Sequence, residues 1–119
     1  IQYTYARIKS VLRKANENNI IIDKNVKLNS LSPKEKDLLK RITLFPGAVK
    51  EAGDNYSPAI IANYCYDLVK EFNQFYHEHS ILSEPNTDQL NFRLMLSATV
   101  AEVVKKGMNL LGIEMPERM

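Results

Sequence analysis

Residues 87–112 read TDQLNFRLMLSATVAEVVKKGMNLLG, and their pattern decides the fold. Leu90, Leu94, Ala101, Val104, Met108 and Leu111 recur at helical spacing along one side. Phe92, Met95, Val100, Val103 and Leu110 fill much of the remaining circumference. A helix with so little polar surface needs neighbours on several sides, so the spacing predicts a central helix with others packed around it. Thr87 is the expected cap at its start and Gly112 its expected stop.

Working back toward the N-terminus, Ser57-Pro58 pairs a capping residue with a proline suited to the first helical position. It opens a helix to about His79, whose inward stripe is Ile61, Cys65, Leu68, Phe72 and Phe75, with Tyr64 beside it. At roughly 22 residues this helix is about 33 Å long. Ser83 to Asn86, with Pro85, reads as the turn that follows. Ser32-Pro33-Lys34-Glu35 is a capping box with proline in its first turn. The helix it starts is expected to carry Leu38, Leu39 and Ile42 inward and to be broken by Pro46 and Gly47. A short helical turn then runs through Val49 and Ala52 to Asp54. At the beginning of the chain, Ile1, Tyr5, Ile8, Leu12 and Ala15 form one apolar stripe, which ends near Asn16 to Asn19. Ile20-Ile21-Ile22 and the charged stretch to Leu31 would be an isolated strand without a partner, and are read as a loop. Short connections and helical periods throughout give an all-α, antiparallel helical bundle built as one domain, residues 1–119.

Composition bounds the function. Hydrophobic residues make up 45% and charged residues 25%, ordinary for a globular protein, and no apolar run approaches a membrane span. The chain opens at Ile1 with an apolar stripe already running, which reads as a cut through a helix and hence a fragment. Cys65, the single cysteine, can form neither an internal disulfide nor a zinc cluster, and a reducing cytoplasm is the simplest setting. Net charge is +2 but uneven. Residues 1–50 hold 11 Lys/Arg against 4 Asp/Glu, a balance of +7, and residues 51–119 hold 5 against 10, a balance of −5. A basic half suits a polyanion partner, though a solvated charged face would look the same.

No catalytic or metal-binding residues emerge. His77 and His79 are two apart on a helix and point to different sides, so they cannot share an ion. Cys65 lies on an apolar stripe as a small core residue. Four scattered glycines form no phosphate-cradling loop.

Opposite the apolar stripe of the first helix lie Tyr3, Arg7, Ser10 and Lys14, flanked by Lys9 and Arg13. An aromatic ring one turn before a guanidinium suits unpaired RNA, the ring stacking on a splayed base while the cation takes phosphate or a base edge. A half-buried Tyr3 at a bundle edge beside a solvated Arg7 would show the same spacing.

Gln2-Tyr3-Thr4-Tyr5-Ala6-Arg7-Ile8 resembles the start of the anticodon-binding, DALR-type C-terminal domain of arginyl-tRNA synthetases. Ser57-Pro58-Ala59-Ile60-Ile61-Ala62-Asn63-Tyr64, then Phe72-Asn73-Gln74-Phe75-Tyr76, continue the likeness. So do Arg93-Leu94-Met95-Leu96, Gly107-Met108-Asn109-Leu110-Leu111-Gly112-Ile113 and the ending Pro116-Glu117-Arg118-Met119. Tyr5 and Cys65 depart from the family's usual histidine and leucine, both at inward positions. The resemblance implies a module that grips the anticodon loop of arginine tRNA through Tyr3, Arg7, Tyr76 and Met119. Lys9, Ser10, Arg13 and Lys14 would be secondary basic or polar contacts. It further implies a cytoplasmic, monomeric arginine–tRNA ligase, a class I enzyme using ATP and magnesium in a catalytic domain upstream of Ile1. Arg93, on the apolar helix, suits an ion pair at least as well as RNA. A helical protein-interaction module, or the corresponding domain of a cysteine or glycine synthetase, are the alternatives; the Arg118-Met119 ending argues against the latter.

Overall fold

The computed structural model describes residues 1–18, 20, 31–79 and 81–118. Five helices follow one another: α1 (Gln2–Glu17), α2 (Pro33–Thr43), α3 (Phe45–Asp54), α4 (Pro58–Glu78) and α5 (Thr87–Leu110). No strand occurs among the described residues, in keeping with the all-helical expectation. The predicted loop between Ile20 and Leu31 lies almost wholly outside the described residues, as does Met119.

Local signals place the helices well. Ser32 accepts from the Glu35 backbone amide while the Glu35 carboxylate accepts from the Ser32 amide, the capping box that the sequence spells. Pro46 falls in the first turn of α3, so it opens a ten-residue helix rather than merely interrupting one. Two caps differ from expectation. Asn86, not Thr87, caps α5 by accepting from the Gln89 amide, and the Ser57 side chain makes no capping bond. Gly112 ends α5 as expected, at φ +77°, with its own amide bonded to Asn109 and that of Ile113 to Met108. That pair of bonds closes the helix in a left-handed turn suited to glycine.

The core draws on all five helices, with α3 adding only Ala52. Tyr5, Ile8, Val11 and Ala15 come from α1, Leu38 from α2, Cys65, Leu68, Phe72 and Phe75 from α4, and Leu94, Val100 and Val104 from α5. The predicted central helix shares that role: α5 packs on α1, α2 and α4, and α4 packs on α2, α3 and α5. Two expected core residues face solvent instead. Leu39 is 40% exposed because it stands about 100° round α2 from the fully buried Leu38. Leu110 is 59% exposed, on a face of α5 that turns polar at Glu102, Lys105, Lys106 and Asn109.

Cross-links between helices are polar. The buried Arg93 guanidinium on α5 pairs with Glu84 at 2.9 Å and with the buried Glu35 carboxylate at 3.6 Å, so it is a structural ion pair. Gln89 also donates to Glu35, at 3.1 Å. The Tyr64 hydroxyl donates to the carbonyls of Arg41 and Ile42 at 2.7 and 3.3 Å, tying α4 to the end of α2. Burial pushes its pKa up to about 12.

Candidate nucleic-acid interface

The solvent side of α1 meets α4 and the C-terminal tail around a cavity of about 390 Å³. Its walls are Tyr3, Ala6, Arg7, Ser10, Val11, Arg13, Lys14, Tyr76 and Arg118. Helical spacing sets Tyr3, Arg7, Ser10 and Lys14 along one line, and the inward stripe of α1 anchors that line to the bundle. Tyr76 arrives from the last turns of α4, where the neighbouring Phe72 ring lies 6.0 Å away.

Arg7 joins the two aromatic groups. Its guanidinium lies 5.0 Å from the Tyr3 ring centre and 5.1 Å from that of Tyr76, and it donates to the Tyr3 hydroxyl at 3.4 Å. Cation–π contact on both sides fixes the spacing of the rings before any ligand arrives. Tyr3 remains 61% exposed, which leaves ring surface for stacking. Four cationic side chains and no carboxylate line the cavity. An arrangement of this kind can hold a planar, electron-rich ring beside an anion.

Five of the six α1 residues singled out in the sequence line this cavity, together with Tyr76. Lys9 does not, since its ammonium lies 5.6 Å from the Tyr5 ring centre. Arg13 lines the cavity but also donates to the Glu117 carbonyl at 3.1 Å, which holds the tail against α1. Gln2 does likewise to Glu114 at 3.4 Å. Arg118 is the residue that the sequence reading missed; its position next to Met119 was the available signal.

Other candidates have structural roles. His79 is bonded to Ser32 Oγ at 3.0 Å and packs on Phe75, whereas His77 meets the edge of the Tyr76 ring. No group of three His, Cys, Asp or Glu among the described residues could hold a metal ion. Cys65 is fully buried and its thiol pKa is raised by burial, the environment of an inert core thiol. No described helix is long and apolar enough to cross a membrane.

Comparison with solved structures gives the same architecture. The arginyl-tRNA synthetase of Thermus thermophilus superposes with a TM-score of 0.86 at 30% identity, over 99% of this chain and 20% of that one. The whole chain, residues 1–119, matches the family described as the DALR anticodon binding domain. It is 60% identical to an arginine–tRNA ligase of Parabacteroides distasonis, over all of this chain and 20% of that protein. With an arginine–tRNA ligase of Flavobacterium psychrophilum the identity is 53%, over all of this chain and 19% of that protein. The chain belongs to the DALR anticodon binding domain family. It spans about one-fifth of the length of the curated relatives that it matches.

Proposed function

We propose that residues 1–119 form a single unit that binds the anticodon loop of arginine tRNA for a cytoplasmic, monomeric arginine–tRNA ligase. The observation that carries this reading is the joining of Tyr3 and Tyr76 by Arg7 within a cavity that Arg13, Lys14 and Arg118 also line. Bases that leave the stack of a loop find ring surface on Tyr3 and Tyr76, and the backbone that carries them finds Lys14 and Arg118. Arg7 can hold a base edge or phosphate through its planar fork while it keeps the rings apart. Met119, which follows Arg118 in the sequence, is proposed as a further contact on the family resemblance alone. Ser10 and Arg13 are secondary contacts, and Lys9 would act only through longer-range attraction.

Ligation requires ATP and magnesium, which belong to a catalytic unit outside residues 1–119.

The test is aminoacylation by the full-length protein carrying Tyr76→Ala or Tyr3→Ala. A lost base stack is worth about 1–3 kcal/mol, so KM for tRNA should rise by roughly 5- to 150-fold, with KM for arginine and ATP unchanged. Anticodon-substituted tRNAs should be discriminated less by the variants than by the parent. Unchanged discrimination would remove Tyr3 and Tyr76 from the base contacts. Binding that is insensitive to salt and indifferent to tRNA identity would favour a protein-interaction module instead.

A further inference from the structure

The far end of α5 presents a surface unlike the RNA cleft. α3 packs on α4, where the Phe45 ring lies 5.6 Å from that of Tyr64. Between α3 and the last turns of α5 an open cleft of about 450 Å³ remains, lined by Phe45, Val49, Lys106, Asn109 and Leu110. Lys106 is the only charged residue of that lining, against four cations in the RNA cleft. Leu110 is largely exposed, and so in part are Leu44, just before Phe45, and Ile113, just after the helix end. Single exposed apolar residues are ordinary on a protein surface, but several gathered around one cleft mark an interface.

We propose that this cleft seats the unit that precedes residue 1 in the full-length protein, an apolar helix or loop of which packs on Val49, Leu110 and the Phe45 ring. The proposal rests on the part of the reading above that places these helices in a longer arginine–tRNA ligase. The chain spans 20% and 19% of two such relatives, so most of a protein of that length lies outside the five helices. The path of the chain says where that remainder begins. Gln2 donates to the Glu114 carbonyl at 3.4 Å, and the Ile113 amide donates to the Met108 carbonyl at 2.9 Å. Residue 1 therefore stands beside the end of α5, at the same pole as Leu110 and Ile113. A unit joined there meets the cleft at once, with no linker to span the molecule, whose longest extent is 46 Å.

The lining also selects the chemistry of the occupant. Aliphatic or aromatic side chains fill the space between Val49 and Leu110, while a carboxylate or carbonyl answers Lys106 and Asn109 at the edge. RNA does not suit this cleft, because one lysine cannot neutralise a run of phosphates. Both walls are fixed before docking. Phe45 leans on Tyr64, whose hydroxyl is bonded to the carbonyls of Arg41 and Ile42. The last turns of α5 are held from within by Gly107 and Met108, which are buried.

The experiment uses the full-length protein without RNA, carrying the photo-crosslinker p-benzoylphenylalanine at position 110 or, in a second variant, at position 109. Both positions are exposed, so the added ring does not disturb the bundle core. Irradiation should join each position to a peptide that precedes residue 1 in the same polypeptide, identified by mass spectrometry. Leu110→Lys should abolish the crosslink from position 109 and quicken thermolysin cleavage ahead of residue 1 by about tenfold, the effect of losing one buried leucine contact. Its affinity for a synthetic anticodon stem-loop of arginine tRNA should match the parent's. The proposal is overturned if both positions join a second polypeptide, which makes the cleft a dimer contact, or if neither joins any peptide upstream of residue 1. Normal stem-loop binding in that case would leave the RNA-binding reading standing. The expected crosslink in a protein that binds no stem-loop would keep the docking surface and remove the RNA-binding reading.

Discussion

Gly107 occupies the interior of α5, where glycine is worse than alanine by about 1 kcal/mol. Its retention has a steric reason, since a Cβ there would stand 2.6 Å from Cys65 Sγ. The thiol is fully buried, so any shift must be made against packed neighbours. Gly107→Ala should therefore destabilise the protein by about 1–2 kcal/mol in urea unfolding, because overpacking outweighs the gain in helix propensity. Adding Cys65→Ala should restore most of the loss, a coupling that a double-mutant cycle reads directly. Tyr64 carries a second residue-scale expectation. Its hydroxyl must stay protonated to donate to the carbonyls of Arg41 and Ile42. Its folded pKa, raised to about 12, lies above the ordinary tyrosine value of about 10. The stabilisation is thus complete below pH 10 and is lost as pH rises through 12. Tyr64→Phe should cost about 1 kcal/mol at neutral pH. The same variant should lose stability less steeply than the parent between about pH 10 and 12, as followed by urea midpoints.

Among the elements, α2 depends most on one side chain. Glu35 completes the capping box, accepts from Gln89 and faces Arg93, with no exposure to water. Ser32→Ala removes only the cap and should cost about 1 kcal/mol. Glu35→Ala also strips a buried guanidinium of one of its two carboxylates, and should cost about 3 kcal/mol. Equal losses in thermal unfolding would show that Glu35 does nothing beyond capping. The contrast also marks what the sequence could and could not show. Capping is a local signal, so Ser32, Pro33 and Glu35 announced the helix from four consecutive residues. Burial of Glu35 depends on Gln89 and Arg93, which approach it only once α5 has packed. Leu39 and Leu110 were misplaced for the same reason, because an apolar letter next to an inward one does not say which of the two the neighbouring helix covers. In the candidate cleft, spacing alone aligned Tyr3, Arg7, Ser10 and Lys14 on α1. Their meeting with Tyr76 crosses from α1 to α4, and only the family resemblance anticipated it.

Over the whole molecule, the two ends of the chain build one surface. Gln2 and Arg13 on α1 hold the carbonyls of Glu114 and Glu117, and the strap they secure delivers Arg118 to the cleft. Arg13 and Arg118 therefore carry equal charge but should fail differently when replaced. If Arg118 meets a phosphate, Arg118→Ala removes one counterion-releasing contact. The slope of log affinity against log salt should then shrink by about 0.7 for a single strand, with affinity falling at low salt. Arg13 spends one of its donors on a neutral carbonyl, so its main effect is to position the strap. Arg13→Ala should weaken stem-loop binding with a smaller change in slope. It should also speed hydrogen exchange at the amides of residues 113–118, a readout that needs no RNA. A full slope change of about 0.7 with unaltered exchange would instead make Arg13 a direct phosphate contact and leave the strap to Gln2 and the packing of Met115. The distinction bears on the basic half of the sequence as a whole: its charge of +7 can attract a polyanion from any direction, but only cations fixed against the tyrosines can hold a loop in register.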